Sequence, residues 1–467
     1  VRAAFARAAG RDSVRADHGY RLRMTSPTRL SRRAFLATAS ALAAPAIISP
    51  AFAQIAADTD VAIIGAGAAG IAAARRVAAA GRSHVLLEAA PRAGGRARTD
   101  EVFGMPFDLG ANRFSSSEGL LAAVTDTGVE TTDVPSSRRL YIGDREAKES
   151  QYEAFAAAIG RTERAIAATA DAGRDIAARA ALPESGEWGA TVAAVLGPLG
   201  CGRDLANVST VDLARRDVPP DDLSTALGVG SLLERVASLL NLRTKARVAR
   251  VDNAGRFSTI TLDGGAVVRA RSVILAVPAA VIAAGAIRFN PALPGRFTNA
   301  LLAYPAGQME HVGFLLPNNP LGLSSDELVH VKAGSYPPAA LYGRVNDTDL
   351  HVAVFGGAQA SEIAGKGEAA AAALTSGFLR EAFGATIGAN VTKFVASRWS
   401  TDPLIRGAMA VGVPGEGALR RQFADPVGRM ILAGEYVSPD KWGTLAGAWA
   451  TGEVAAEKAI TMVGGPV

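Results

Sequence analysis

The sequence predicts an α/β protein: a Rossmann-like dinucleotide-binding domain into which a second, α+β domain is inserted. Three observations predict this. A glycine-rich strand-turn-helix-strand pattern spans Asp60 to Glu88. A second glycine turn, "GGRARTD", follows six residues after Glu88. Further along lie an alanine-rich stretch at 151–182, low in glycine and proline, and short runs with turn signals between about 308 and 357. At 467 residues the chain exceeds one typical domain. Hydrophobic content of 49% and charged content of 20% provide for a large core.

The net charge of +5 is not spread evenly. Residues 1–53 hold nine arginines, no lysine and two aspartates, which leaves 40 basic against 42 acidic residues in the remainder. The basicity belongs to the leader, so nucleic acid is not expected as a partner. "SRRAFLATASALAAPAIISPAFAQ" pairs Arg32 and Arg33 with a short apolar run and a small-residue site before Gln54. This resembles a bacterial twin-arginine export signal cleaved near Ala53, with Met24 as the expected start. The run is short, alanine-rich and broken by Pro45 and Pro50, so no stable membrane anchor is expected after cleavage. The expected location is periplasmic. Cys201 is the only cysteine, which rules out an intrachain disulfide. His84, His311, His330 and His351 show no metal-ligand spacing, and no metal is expected.

The first βαβ unit carries the strongest chemistry. Asp60–Ile64 reads as a buried strand running into Gly65, and Ala68–Ala80 reads as a helix closed by Gly81. Gly65 permits the tight turn, Gly67 lets backbone amides reach a pyrophosphate, and Gly70 lets the helix lie close on the sheet. Ala68 and Ala69 open that helix at its amide-rich end. "HVLLE" reads as the next strand, with Glu88 placed to accept hydrogen bonds from a ribose hydroxyl and Ala89 beside it. "GGRARTD" follows, where Gly94 and Gly95 offer further amides and Arg96 a cation for the same pyrophosphate.

With "FDLGANRF" at Phe107–Phe114, these segments resemble the start of the flavin-containing amine oxidase family. The resemblance implies the p-hydroxybenzoate hydroxylase/amine oxidase type of FAD domain, with Gly110, Ala111 and Asn112 near the cofactor. It continues in order along the chain. "GVGSLLERVASLLNLRTKARVARVD" is similar to the helix and strand that return to the FAD domain, with Val248 by the cofactor. "SRWSTDPLIRGAMA" is similar to the segment beside the flavin ring, with Trp399 against it. "RMILAGEYVSPDKWGTLAGAWATGEVAAEKAI" resembles the closing strand and final helix. There Gly434 and Glu435 are expected at the ribityl and pyrophosphate region, and Gly443, Thr444 and Leu445 at the isoalloxazine carbonyl. The implied division is 58–112, 235–288 and 395–467 for the FAD domain, with 113–234 and 289–394 for the substrate domain.

Departures from the family pattern bear on substrate. His311 falls where many members carry a lysine that holds water beside flavin N5. A histidine can hold water too and, if protonated, stabilise negative charge. Met409 and Thr444 occupy the positions of the monoamine oxidases' aromatic cage. Ala408 stands where covalent members have cysteine, so FAD is expected to bind non-covalently. Arg113 matches an arginine that grips the substrate carboxylate in L-amino-acid oxidases, as a guanidinium fork can. The resemblance thus implies oxidation of an amine C–N bond to an imine, with electrons passed to O2 or a periplasmic carrier. An L-amino-acid oxidase, a dehydrogenase or desaturase, and a non-catalytic flavoprotein remain as alternatives. A homodimer is compatible with the sequence.

Overall fold

The computed structural model of the protein describes residues 58–464, except 117, 135–137, 185, 219–221 and 337. The expected export signal and cleavage point lie outside the described residues. Asp58–Ile64 pairs in parallel with Val267–Leu275 on one side and His84–Leu87 on the other. Residues Val61 to Ile64 are at most 3% exposed, which is why this strand reads as an unbroken apolar run rather than an alternating one. The sheet extends through Leu242–Arg243 at one edge and through Ser258–Leu262, Val248–Asp252 and Arg288–Asn290 at the other. Met430–Leu432 joins in parallel beside the end of Val267–Leu275.

Helices Ala68–Ala79, Val229–Ala237 and Leu445–Met462 cover one face of this sheet. The first and last nearly touch: a Cβ on Gly452 would stand 2.1 Å from the Ala69 carbonyl oxygen. Alanine and glycine on both helices make that approach sterically open. The other face buries Phe297 and Ala300 of the Gly295–Ala303 helix together with Tyr304, Phe423 and Tyr436.

A second sheet runs in the order Thr392–Ala396, Met309–Leu315, Leu350–Gly356, Ala340–Gly343, Glu327–Val331, Arg138–Ile142, Arg145–Glu146. The four strands expected between 308 and 357 are present, and all pair antiparallel. Arg138–Ile142, which the sequence reading passed over, joins in parallel to Glu327–Val331. Side chains alternate across this sheet. Val312, Phe314, Val329, Leu341, Ala353 and Phe355 pack with Ile363, Phe378 and Leu379 of the helices Ala358–Lys366 and Glu368–Phe383. Met309, His311, Leu328, His330, Ala340, Tyr342 and Val354 point the opposite way, into a cavity. The alanine-rich stretch forms one helix, Glu149–Asp171, and Gly173 follows it with a left-handed φ of 72°.

The helical insertion is welded to the first sheet's far layer by one ion pair. Asp212, on the Thr210–Ala214 helix, accepts from Arg420 Nε at 2.8 Å and Nη2 at 2.7 Å. Their side chains are 2% and 4% exposed. Removing one partner leaves the other charge buried and unpaired, at a cost of about 3–5 kcal/mol. Asp212→Ala is therefore expected to lower stability in chemical denaturation by that amount. A change under about 1 kcal/mol, the range of an exposed pair, would show that water reaches the site.

Candidate functional site

The glycine turn opens the site. Gly65 has φ of 99°, and its N–H donates to Leu87 O at 2.7 Å. A Cβ on Gly70 would stand 1.8 Å from the Gly65 carbonyl oxygen, so the helix rests directly on the turn. A Cβ on Gly67, by contrast, would meet no protein atom within 4 Å. It faces open space, as backbone must where a pyrophosphate approaches it. The second glycine turn abuts the first: Gly94 N–H donates to Ala66 O at 2.8 Å, and Gly67 and Gly94 form a parallel bridge. These turns floor a cavity of about 980 Å³, whose roof is the second sheet.

Every residue nominated from the sequence lines this cavity except Gly70, which lies beneath the turn. Residues far apart in sequence, such as Ala68, Ala69, Ala89, Gly95, Gly110, Ala111, Asn112, Val248 and Leu445, are thus brought to one wall. Several of them also make hydrogen bonds within the protein. Glu88 accepts from the Ala66 and Ala90 amides, both at 2.7 Å, and burial raises its pKa. Two lone-pair directions remain for a ribose hydroxyl. Glu435 was expected at the ribityl chain, yet its carboxylate is committed to protein donors. It accepts from Arg96 Nη1 at 3.1 Å, Ala410 N at 3.2 Å and Gly443 N at 3.0 Å. Arg96 Nη1 also donates to the Ala408 carbonyl. Arg96 lines the cavity, with its Nη1 clasped by Glu435 and the Ala408 carbonyl.

Arg113 likewise binds protein. Its Nη2 donates to the Asp326 carbonyl, and its guanidinium lies 4.7 Å from the centre of the Tyr342 ring. Thr444 caps the Leu445–Met462 helix, accepting from Gly447 N at 2.9 Å while donating to Lys441 O at 2.7 Å. Met409 Sδ faces Arg216 Nη2 at 3.7 Å.

Trp399 Nε1 donates to Leu109 O at 2.8 Å. Its loop hangs from Glu310, a fully buried carboxylate that accepts from Trp399 N at 2.9 Å, Ser400 N at 3.0 Å and Ser397 Oγ at 2.6 Å. His311 follows on the same strand, its side chain on the cavity face. Nδ1 lies 3.4 Å from the Asp108 carbonyl, which places the proton on Nδ1 and leaves Nε2 as an acceptor. Burial depresses the imidazole to about 4. The protonated form considered from the sequence is thus disfavoured, since burial outweighs the Asp108 carbonyl and no carboxylate among the described residues offsets it.

Sequence reasoning missed Glu310, Arg216, Tyr342, Asp402 and the Asp108 carboxylate. Asp108 accepts from Val229 N at 3.0 Å and Gly230 N at 3.3 Å, and burial raises it to about 6. Asp108 and Asp402 stand inside the quoted segments "FDLGANRF" and "SRWSTDPLIRGAMA" with no role assigned there, and no linear motif marks Glu310, Arg216 or Tyr342. Among the described residues, no group of side chains has a metal-ligand arrangement, and no helix is long and apolar enough to cross a membrane.

The family of flavin containing amine oxidoreductases matches residues 68–460. The chain belongs to this family. It is a flavin-dependent oxidoreductase, and FAD is its cofactor. Polyamine oxidase 4 of Oryza sativa subsp. japonica is 24% identical over 454 residues, covering 87% of this chain and 89% of that protein. Lysine-specific histone demethylase 1B of Mus musculus is 28% identical over 248 residues, which span half of this chain and 29% of the relative. Among solved structures, putrescine oxidase bound to putrescine superposes with a TM-score of 0.74 at 20% identity, covering 86% of this chain and 99% of the other. Cyclohexylamine oxidase from Brevibacterium oxydans gives 0.72 at 22% identity with the same coverage. These likenesses establish the fold.

A histidine depressed to about 4 does not change charge between pH 5 and 8. The pH profiles of flavin reoxidation by oxygen in wild type and His311→Asn are therefore expected to share their inflections in that range. An inflection near pH 6.5 that vanishes in the variant would show that His311 titrates.

Proposed function

We propose that this chain is an exported FAD-dependent enzyme that oxidises a small-molecule amine to the imine. One observation carries the reading: a single cavity joins the amide-rich floor of the glycine turns to an apolar roof bearing His311. Bound FAD would supply the two-electron acceptor. The amides around Gly67, Gly94 and Gly95 would hold its pyrophosphate, and Glu88 its ribose. Trp399, Met409 and Thr444 would shape the space beside the ring. The roof residues Leu328, Ala340 and Val354 exclude water and orient the C–H bond toward the acceptor. The His311 Nε2 lone pair can fix a water or the amine N–H. No carboxylate on the roof is placed as a base, so the substrate enters as the unprotonated amine. Relatives named for amines support this reading over the amino-acid one, and so does Arg113, whose guanidinium is occupied by Asp326 and Tyr342.

Non-covalent attachment follows from Ala408 on the cavity wall and from Cys201, which is fully buried with its thiol pushed up to about 11. The purified protein is expected to be yellow and to release intact FAD on acid denaturation. Gly67→Leu should purify colourless, because the side chain would fill the open space over the turn. Anaerobic mixing with amines should bleach the flavin, and readmitted air should restore it if oxygen is the acceptor. Yellow protein from the Gly67→Leu variant, or no bleaching by any amine, would count against the reading.

Export is a separate expectation. Arg32→Lys with Arg33→Lys should keep the precursor in the cytoplasm, read by fractionation and the mass of the N-terminal region. Normal delivery of that variant would exclude the twin-arginine route.

A further inference from the structure

The cavity roof distributes charge in a way that bears on the substrate. Four carboxylates line the cavity, and each belongs to the floor and its flanks. Glu88 is held by backbone amides, Asp100 by Arg92 and Arg98, and Glu435 by Arg96. The fourth, Asp402, accepts from Leu404 N at 2.8 Å and lies close enough to Glu88 to raise its pKa. Among the described residues, the second sheet contributes no acid to the wall. It contributes Arg138, which is exposed at the rim and forms no ion pair among the described residues. It also contributes His330, whose Nδ1 is buried without a hydrogen-bond partner.

Strand register fixes where these groups stand. Arg138 pairs with Leu328, whose other neighbour is Tyr342, the ring beneath the Arg113 guanidinium. His330 is two residues along from Leu328 on the same face. Arg138, His330 and Arg113 therefore surround one apolar residue, Leu328. From His311 the cross-strand row runs through Val354 and Ala340 to His330. Three strand spacings of roughly 4.8 Å put the two histidines about 14 Å apart. The wall between them is aliphatic.

We infer that the substrate is an amine joined by an apolar spacer to a distal anionic group, which docks at Arg138, beside Leu328. This rests on the amine-oxidising reading above, with the reacting carbon near His311. A diamine of the same length would bring its second ammonium to Arg138, with no acid on the second sheet's lining among the described residues to receive it. An α-amino acid would place its carboxylate far short of Arg138. A distal carboxylate gains a charge-assisted hydrogen bond from Arg138.

The test compares three compounds of one length on the FAD-loaded protein: dodecylamine, its α,ω-diamine, and ω-aminododecanoate. Anaerobic flavin reduction gives the half-saturating concentration of each. Hydrogen bonds to charged groups predict that the amino acid half-saturates about ten- to hundredfold below dodecylamine, with the diamine weakest. In Arg138→Ala the half-saturating concentration of the amino acid relative to dodecylamine should rise about tenfold, and in Arg138→Glu the preference should turn toward the diamine. FAD content serves as the folding check, and Arg138 is exposed, so both variants are expected to fold. Calorimetry with dodecanoate, which has no amine, separates the two claims. Binding that Arg138→Ala weakens, with no amine bleaching the flavin, would keep the anion subsite and sink the amine-oxidising reading. Bleaching by amines with equal or better use of the diamine, or a ratio unmoved by Arg138→Ala, would overturn the inference and leave that reading in place.

Discussion

The buried pair between Asp212 and Arg420 anchors a chain of contacts that ends at the cavity. The two residues are 208 positions apart, and the pair survives desolvation because its spare donors and acceptors are used. Asp212 also accepts from Gly412 N at 2.8 Å, and Arg420 donates to the carbonyls of Ala410 and Tyr436, each at 3.0 Å. Ala410 so fixed presents its N–H to Glu435. Glu435 in turn holds Arg96 and Gly443, which are the second glycine turn and the approach to the last helix. Trp442 is gripped from two sides, with the Arg216 and Arg420 guanidinium carbons 4.5 and 4.9 Å from its ring. The shape of the cavity wall thus depends on an interaction that never touches it.

A second line of support runs through Asp108. Its carboxylate meets the first amides of the Val229–Ala237 helix, while its own carbonyl faces His311. The same burial that pushes the carboxyl up to about 6 pushes the imidazole down to about 4. Both shifts have one cause, removal from water, and their opposite signs follow from the charge each group would carry. The floor and the roof are therefore joined at a place that resists holding charge.

The βαβ unit was legible because its chemistry is local. Gly65, Gly67, Gly70 and Glu88 act within one short stretch, and backbone geometry dictates their spacing. Four strands of the second sheet, those between 308 and 357, were legible as short runs bounded by turn signals. What sequence could not supply was partnership between distant residues. Arg96 and Glu435 were both placed at the cofactor, correctly near the cavity, but nothing local says that two residues 339 apart bind each other. Glu310 looks like any strand residue until Ser400, 90 positions later, folds back onto it. Arg138–Ile142 escaped notice because its parallel partner lies far along the chain, beyond the reach of any hairpin signal.

The alternation of the second sheet separates two kinds of position that in many cavities are entangled. Val329, Leu341 and Ala353 hold the covering helices, while their immediate neighbours Leu328, Ala340, Tyr342 and Val354 face the cavity. Changes at the latter set alter the chamber without disturbing the helix contacts on the reverse side. The strand pairing itself is carried by the backbone, which such changes leave alone. Lineages carrying this fold can diversify what they accept by point changes on one side of a few strands. An inserted residue in any of those strands would be another matter, since it would exchange the chamber's lining with the core's.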